Sequence, residues 1–440
     1  MTRPLWLQQV QLLTGPGQPL HRADALIDAS GALLSWGEPA GQQAEALGLS
    51  PTAAQGWLLA PMLVDPHSAL EQPWDGRAEN LTSLAAAAAA GGYGTVALLP
   101  WSSPWRDRPE RLNLSFNLNP PGLEPLALER WGSFSLEGGD QELAPHADQI
   151  TAGAIGLACH DQLPPLALLE RGLLLGEMGP RPVLVAPRDG SLTGGGFVRE
   201  GVDALRAGWP PDPVLSETLP LQSLLTLAAS RSEAALRLMN LSTAAGVALL
   251  RAAQHRPLAS VSWWHLLADS SNLDPTAEGW RLHPSLGTAD DRHALITALA
   301  DGVLTAVAVH HLPLDAEEQL LPLDQRRPGL AGHGAPRGLV LPLLWQELVG
   351  CRSWPVEQLW QALSWGGSAL LGLPPEQLRV GSRRWLLFDP QQQWAWEPSH
   401  SLSHAANQPL GGRTIQGGVR ATGLTPADHW SLSPPAPLSG

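Results

Sequence analysis

The residues best suited to chemistry begin in the segment APMLVDPHSALEQPW, Ala60 to Trp74. A short apolar run delivers Asp65, Pro66 and His67 to its end. A carboxylate and an imidazole at a strand end are raw material for a hydrolytic metal centre, in which protein ligands hold zinc with one position open for water. Two residues beyond His67, where a second imidazole would complete a pair, the chain has Ala69. Other candidate donors lie far along the chain: Cys159, His160 and Asp161 together, His283, and the pair His310 and His311. His67, His160, His310 and His311 form a rebuilt zinc site if their strand ends converge. The plainer reading makes His67 a hydrogen-bonded loop residue and Asp65 a turn or cap. Cys159 beside His160 evokes nucleophilic catalysis, but neighbours on a strand face opposite ways and no orienting group can be assigned. Asp161 reads as a solvated loop carboxylate or as the counter-charge of a local histidine. The run Gly194–Gly196 lacks an adjoining lysine or a dinucleotide fingerprint, so it reads as a loop rather than a phosphate cradle.

The elements that must position these groups change character along the chain. The first sixty residues hold strand-like pieces, LWLQQVQLL and ADALIDASGALLSWG, split by Gly/Pro turns. WLLFDPQQQWAWEP and RTIQGGVRATG, near the other end, have the same character. This predicts a small composite β domain from residues 1–60 and 378–440. Between them, over 61–377, helices alternate with strands. Asn80 or Thr82 caps the alanine-rich helix, and Gly91 and Gly92 end it. YGTVALLP, RPVLVAP, PLASVSWW and VLTAVAVHH read as buried strands, and Thr288 to Asp291 as a capping box before RHALITALADG. Repeated β/α units favour a parallel barrel or a doubly wound sheet, and the long polar loops after the strands favour the barrel.

Composition narrows the function classes. All 27 basic residues are arginine, so a lysine Schiff base, a P-loop lysine and a carboxylated-lysine metal bridge are excluded. A net charge of -14 argues against a general nucleic-acid surface. No run reaches the twenty or so apolar residues of a membrane span, and the N-terminus lacks the apolar core of a signal peptide. The two cysteines give no disulfide framework, and a cytoplasmic location is expected. Of the 19 tryptophans, Trp74, Trp101, Trp105, Trp263 and Trp264 fall near strand-end loops. They either cover the mouth, form a protein-binding surface, or pack loops with their indole N–H groups satisfied locally. Trp385, Trp394 and Trp396 are expected to pack the small β domain.

In order and spacing, LLAPMLVDPH, AAAAAAGGYGTVALLP, LTGGGFVREG, NLSTAAGVALLRAA, WHLL, HPSLGTADDRHALITALADG and AVAVHHLP resemble the dihydroorotase branch of the amidohydrolase superfamily. The resemblance covers most of the chain. It implies an α/β fold: a distorted (β/α)8 TIM-like barrel, with the small β domain formed by the N- and C-terminal segments. It also implies one or two zinc ions at the C-terminal mouth and reversible hydrolysis of the cyclic amide of dihydroorotate in pyrimidine biosynthesis.

The motif positions then depart from what the resemblance implies. His67 matches the first histidine after the first barrel strand, but Ala69 stands at the second. The bridging position after GAIGLA falls near Cys159 and His160. A later histidine position holds Ala186, the next Asn240, and the aspartate near the last strand becomes His310, followed by a retained His311. On the substrate side, Glu71 replaces an arginine, Trp101 an asparagine and His283 a second asparagine. Glu71 puts a negative charge where an anionic substrate would sit, a repulsion of about 4 kcal/mol at 4 Å and an effective dielectric of 20. Zinc lowers the pKa of bound water from about 15.7 to about 7 in carbonic anhydrase, which at about 1.4 kcal/mol per unit is about 12 kcal/mol. No ordinary side-chain base replaces that.

The expectation is therefore a dihydroorotase homologue without hydrolytic activity or favoured cofactor, serving a structural or regulatory role. Aspartate carbamoyltransferase or self-association is the expected partnership, with no nucleic acid and no membrane. The rival expectation is an active cyclic-amide hydrolase with zinc on a rebuilt histidine site. A third is a narrow small-molecule-binding module.

Overall fold

Short, mostly apolar segments buried on both faces suit the strands of a covered parallel sheet. Eight strands follow one another here, most of them of this kind: β1 (Leu63–Ser68), β2 (Tyr93–Leu98), β3 (Ala127–Ser133), β4 (Gly156–Ala158), β5 (Val183–Val185), β6 (Leu236–Leu238), β7 (Leu258–Ser262) and β8 (Ala306–Ala308). In the computed structural model, which describes residues 4–112, 126–272, 274 and 277–432, they pair in sequential order as one parallel sheet. Val64, Ala97, Trp131, Ala158, Leu184, Met239 and Ala306 form one buried apolar cluster. Small side chains leave room for the fully buried Trp131, whose indole N–H donates to Pro66 O at 2.9 Å.

Among the described residues no backbone ladder joins β8 to β1; two side chains and one backbone bond close that seam. Asp65 Oδ1 accepts from Val309 N at 3.0 Å, and the Ser68 hydroxyl accepts from His311 N at 2.8 Å. Ala69 N donates to His311 O at 2.9 Å. Asp65 Oδ2 accepts from Ser68 Oγ at 2.5 Å and from His333 Nε2 at 3.2 Å. Asp65 and Ser68, at the end of the first strand, thus close the barrel.

Both chain ends share a second sheet. Its seven strands include Leu5–Leu12, His21–Ile27, Leu33–Trp36, Leu58–Pro61, Trp385–Trp396 and Arg413–Thr422. Leu58–Pro61 pairs antiparallel with Trp385–Phe388. The expected small domain of residues 1–60 and 378–440 thus meets in one sheet, although residues 433–440 lie outside the described residues. The helix Glu38–Ala46 within this region was not anticipated. Its signal is Pro39 in the first turn after Gly37, a left-handed glycine at φ 74.

Helix starts follow the expected chemistry. Asn80 Oδ1 accepts from Thr82 N and Ser83 N, so Asn80 rather than Thr82 caps the alanine-rich helix Leu81–Ala90. Thr288 and Asp291 form the capping box of Ala289–Ala300. A buried network holds the loop after β5 against the loop after β6. Glu217 accepts from Ser242 N at 2.8 Å and Thr243 N at 3.1 Å, and Arg199 pairs with Asp212 at 3.1 Å and with Glu217 at 3.4 Å. Replacing Glu217 with Gln turns amide hydrogens towards these donors, while Asp212 still balances Arg199. A loss of about 2–3 kcal/mol is expected, measured by urea unfolding.

Candidate functional site at the barrel mouth

Four of the family-motif positions fall just beyond strand ends on one face of the barrel, the face on which βα-loops build active sites. Ala69 follows β1, Ala186 follows β5, and Asn240 and His310 lie two residues beyond β6 and β8. Ala69 and Ala186 are buried and belong to the apolar cluster that fills the barrel. Their methyl groups carry the apolar interior up to the mouth and offer no lone pair.

His67 is fully buried, and both of its ring nitrogens are engaged. Nδ1 lies 3.0 Å from His310 Nδ1 and Nε2 lies 2.8 Å from Ser260 Oγ. Ser260 Oγ also accepts from Asn240 N at 2.9 Å. Burial, reinforced by the neighbouring His310, pushes His67 down to about 3, and burial brings His310 to about 4. Both are therefore neutral at pH 7. The Ser260–His67–His310 chain has the order of a nucleophilic triad, but Ser260 is fully buried and an imidazole at about 3 is a weak base.

The centre of the mouth is a polar plug. Asp161 Oδ2 accepts from Arg188 Nη1 at 3.1 Å and from His283 Nδ1 at 3.0 Å. Arg188 Nη2 donates to His283 Nε2 at 3.1 Å, which closes a three-membered ring of side chains. Asp161 Oδ1 receives His160 Nδ1 at 2.5 Å. Burial alone would raise Asp161, yet His160, His283 and Arg188 together hold its carboxyl far below the usual range. His160 is stacked between two indoles, with centroids 5.4 Å from Trp101 and 5.3 Å from Trp105. Both indole N–H groups are anchored, Trp101 to Cys159 O at 3.0 Å and Trp105 to Ser133 Oγ at 2.7 Å.

The candidate metal set does not gather at one point. His67 and His310 touch, and Trp101 packs against both His160 and His310. His311 faces the other way, with Nε2 3.4 Å from the buried Glu79 and Nδ1 accepting from His333 N. Cys159 is buried, and burial pushes its thiol well up, as suits a structural residue. The expectation for Glu71 needs correction. It does not present an uncompensated charge to the mouth: it lines a separate cleft with Arg77 and Glu79, and it pairs with Arg327 at 2.9 Å. His283 does wall the mouth, and Trp101 packs against its histidines. Of the tryptophans, Trp264, Trp385, Trp394 and Trp396 donate to nearby backbone carbonyls, the local packing reading.

The chain is 35% identical over 396 residues to a probable dihydroorotase-like protein from Synechocystis sp., covering 83% of this chain and 87% of the relative. The chain belongs to the dihydroorotase-like family. A dihydroorotase from Listeria innocua is 27% identical over 377 residues, covering 84% of this chain and 86% of the relative. Among solved structures, L-hydantoinase from Arthrobacter aurescens superposes with a TM-score of 0.72 at 18% identity, over 96% of this chain and 94% of its own. D-hydantoinase from Thermus sp. gives 0.71 at 18% identity, over 95% and 93%. These structures share the α/β barrel with a small β domain. No family model matches the chain.

The resemblance implies zinc, and the donors it would use can be compared with the residues present. Two of the expected positions carry methyl groups, a third an amide, and both nitrogens of His67 already have protein partners. Among the described residues, no three His, Cys, Asp or Glu side chains are arranged to hold a metal ion. Arg188, Ser260, Glu79 and His333 are the site residues that sequence reasoning missed. Arg188 sits in the loop APRDG with no local signal of its role. Among the described residues no helix is long and apolar enough to cross a membrane.

Proposed function

We propose that this dihydroorotase-like barrel does not hydrolyse cyclic amides and serves a structural or regulatory role, with pyrimidine biosynthesis as its setting. The observation that carries the reading is the closed Arg188–Asp161–His283 ring at the mouth. The cavity left beside it is about 20 Å³, room for about one or two water-sized groups and too small for a six-membered ring. Hydrolysis also needs an activated water, and no neutral imidazole here supplies what a metal would.

The rival reading, a rebuilt single-zinc hydrolase, has two close nitrogens in His67 and His310. It lacks a third, because His160 is held by Asp161 and two indoles. The test is turnover of dihydroorotate by purified protein with and without added zinc. No hydrolysis above the uncatalysed rate is expected; metal-dependent turnover abolished by His67→Ala would reverse the reading. Family resemblance supports aspartate carbamoyltransferase as the partner. Gentle affinity purification of the full chain should then yield it in fixed stoichiometry, and isolation of a lone monomer would count against that partner.

A further inference from the structure

An apolar groove of about 470 Å³ lies between the alanine-rich helix Leu81–Ala90 and Arg413–Thr422, a strand at one edge of the terminal sheet. Ala85, Ala86 and Ala89 line one side, and Val419, Leu424 and Pro426 the other. A helix face turned to water is ordinarily polar. This helix carries no charged residue, and its outer face presents methyl groups: Ala86 is exposed, and Ala85 and Ala90 are half-buried. Short side chains leave a trough rather than a filled surface. Covering such apolar surface is favourable by about 25 cal/mol per Å².

The end of the described chain leads to this groove. Pro426 and His429 line it. Ser431 is then fixed to the edge strand: its N–H donates to Arg420 O at 2.7 Å, and its carbonyl accepts from Arg420 Nη1 at 2.7 Å. Arg420 also lines the groove, and Asp389 holds its guanidinium at 2.7 Å. Residues 433–440, SPPAPLSG, thus begin two residues beyond a fixed point beside the groove. In a polyproline II conformation these eight residues reach about 25 Å at about 3.1 Å each. The ten-residue helix is about 15 Å long at about 1.5 Å per residue, so the segment can run its whole length.

The chemistry selects the same occupant. SPPAPLSG has no charged side chain, and its three prolines bring no N–H to be stranded against apolar walls. Proline also pre-sets an extended backbone, so docking costs little chain entropy. Residues 113–125 end beside the groove too, at Leu126. They carry Asn113, Asn117, Asn119 and Glu124, polar groups for which an alanine wall offers no partner.

We propose that residues 433–440 dock along this groove, with Leu438 and the prolines against Ala85, Ala86 and Ala89 of the same molecule. The inference is independent of the chemistry at the barrel mouth. The test uses the full chain with the photo-crosslinking residue benzoylphenylalanine in place of Leu438. Irradiation in dilute solution, followed by peptide mass spectrometry, should map adducts within one molecule to residues 81–90 or 419–429. Ala86→Trp, on the exposed helix face, fills the groove and should lower that yield about fivefold or more. Ala86→Leu serves where the Trp variant does not fold. Adducts scattered over other surfaces, or a yield unchanged by filling the groove, overturn the proposal. Adducts between molecules also overturn it, and assign the groove to a second copy of the chain.

Discussion

Lowering the pH from 7 to 5 is expected to destabilise the protein by about 4–6 kcal/mol, enough to unfold a domain of ordinary stability. The cause is a set of buried neutral histidines. Burial holds His67 at about 3, and His310 and His265 at about 4, against 6.5 for a free imidazole. Below pH 6.5 the unfolded chain takes up protons that these folded sites refuse. The stability from keeping them neutral is therefore full above 6.5 and falls as the pH drops towards their folded values. Each contributes about 1.4 kcal/mol per pH unit, and at pH 5 each has lost about 2 kcal/mol, with the coupled pair His67 and His310 somewhat less. The carboxylates act later. Asp65, Asp161 and Glu79 are all held below their ordinary values, so their contribution persists above the unfolded carboxylate range and is lost only as the pH falls through the folded values. Thermal unfolding from pH 7.5 to 4.5 should show Tm falling steeply from about pH 6.5. A Tm that stays level down to pH 5 would contradict the assignment of neutral buried imidazoles.

The second large effect is expected at the barrel seam. Asp65→Ala removes the acceptor shared by Val309 N, Ser68 Oγ and His333 Nε2, all buried. Bonds to an ionised acceptor are stronger than neutral ones, and the three stranded donors have no water to turn to. A cost of about 3–5 kcal/mol is expected, by analogy with breaking buried charged pairs. Because Asp65 and its neighbour Ser68 bond the backbone that follows the last strand, hydrogen exchange should accelerate first at Val309 and His311. Stability within about 1 kcal/mol of the parent would mean that packing against β1, rather than Asp65, closes the barrel.

Much of the architecture was legible because strand and helix alternation is local information. Thr288 with Asp291, Asn80 before the alanine run, and the apolar strands all carry short-range signals. β3 was missed because Glu129 and Arg130 interrupt its apolar pattern, although its second half is buried. The site was less legible because its partners lie far apart in sequence. The ring joins Asp161, Arg188 and His283, and Glu71 finds Arg327 a further 256 residues along the chain. Residue types alone showed where lone pairs were missing, as at Ala69 and Ala186. They did not reveal that Arg188 would complete a plug, that Trp101 and Trp105 would enclose His160, or that the charge of Glu71 would be balanced. Such outcomes depend on which loops the barrel brings together.

Zinc content and dihydroorotate opening, measured on one preparation of the full chain purified without chelator, distinguish a non-hydrolytic barrel from a metal hydrolase. Well under one zinc per chain and no ring opening above the uncatalysed rate are expected, with His67→Ala indistinguishable from the parent in both. About one tightly held zinc per chain, with turnover that disappears in His67→Ala, would contradict the non-hydrolytic reading.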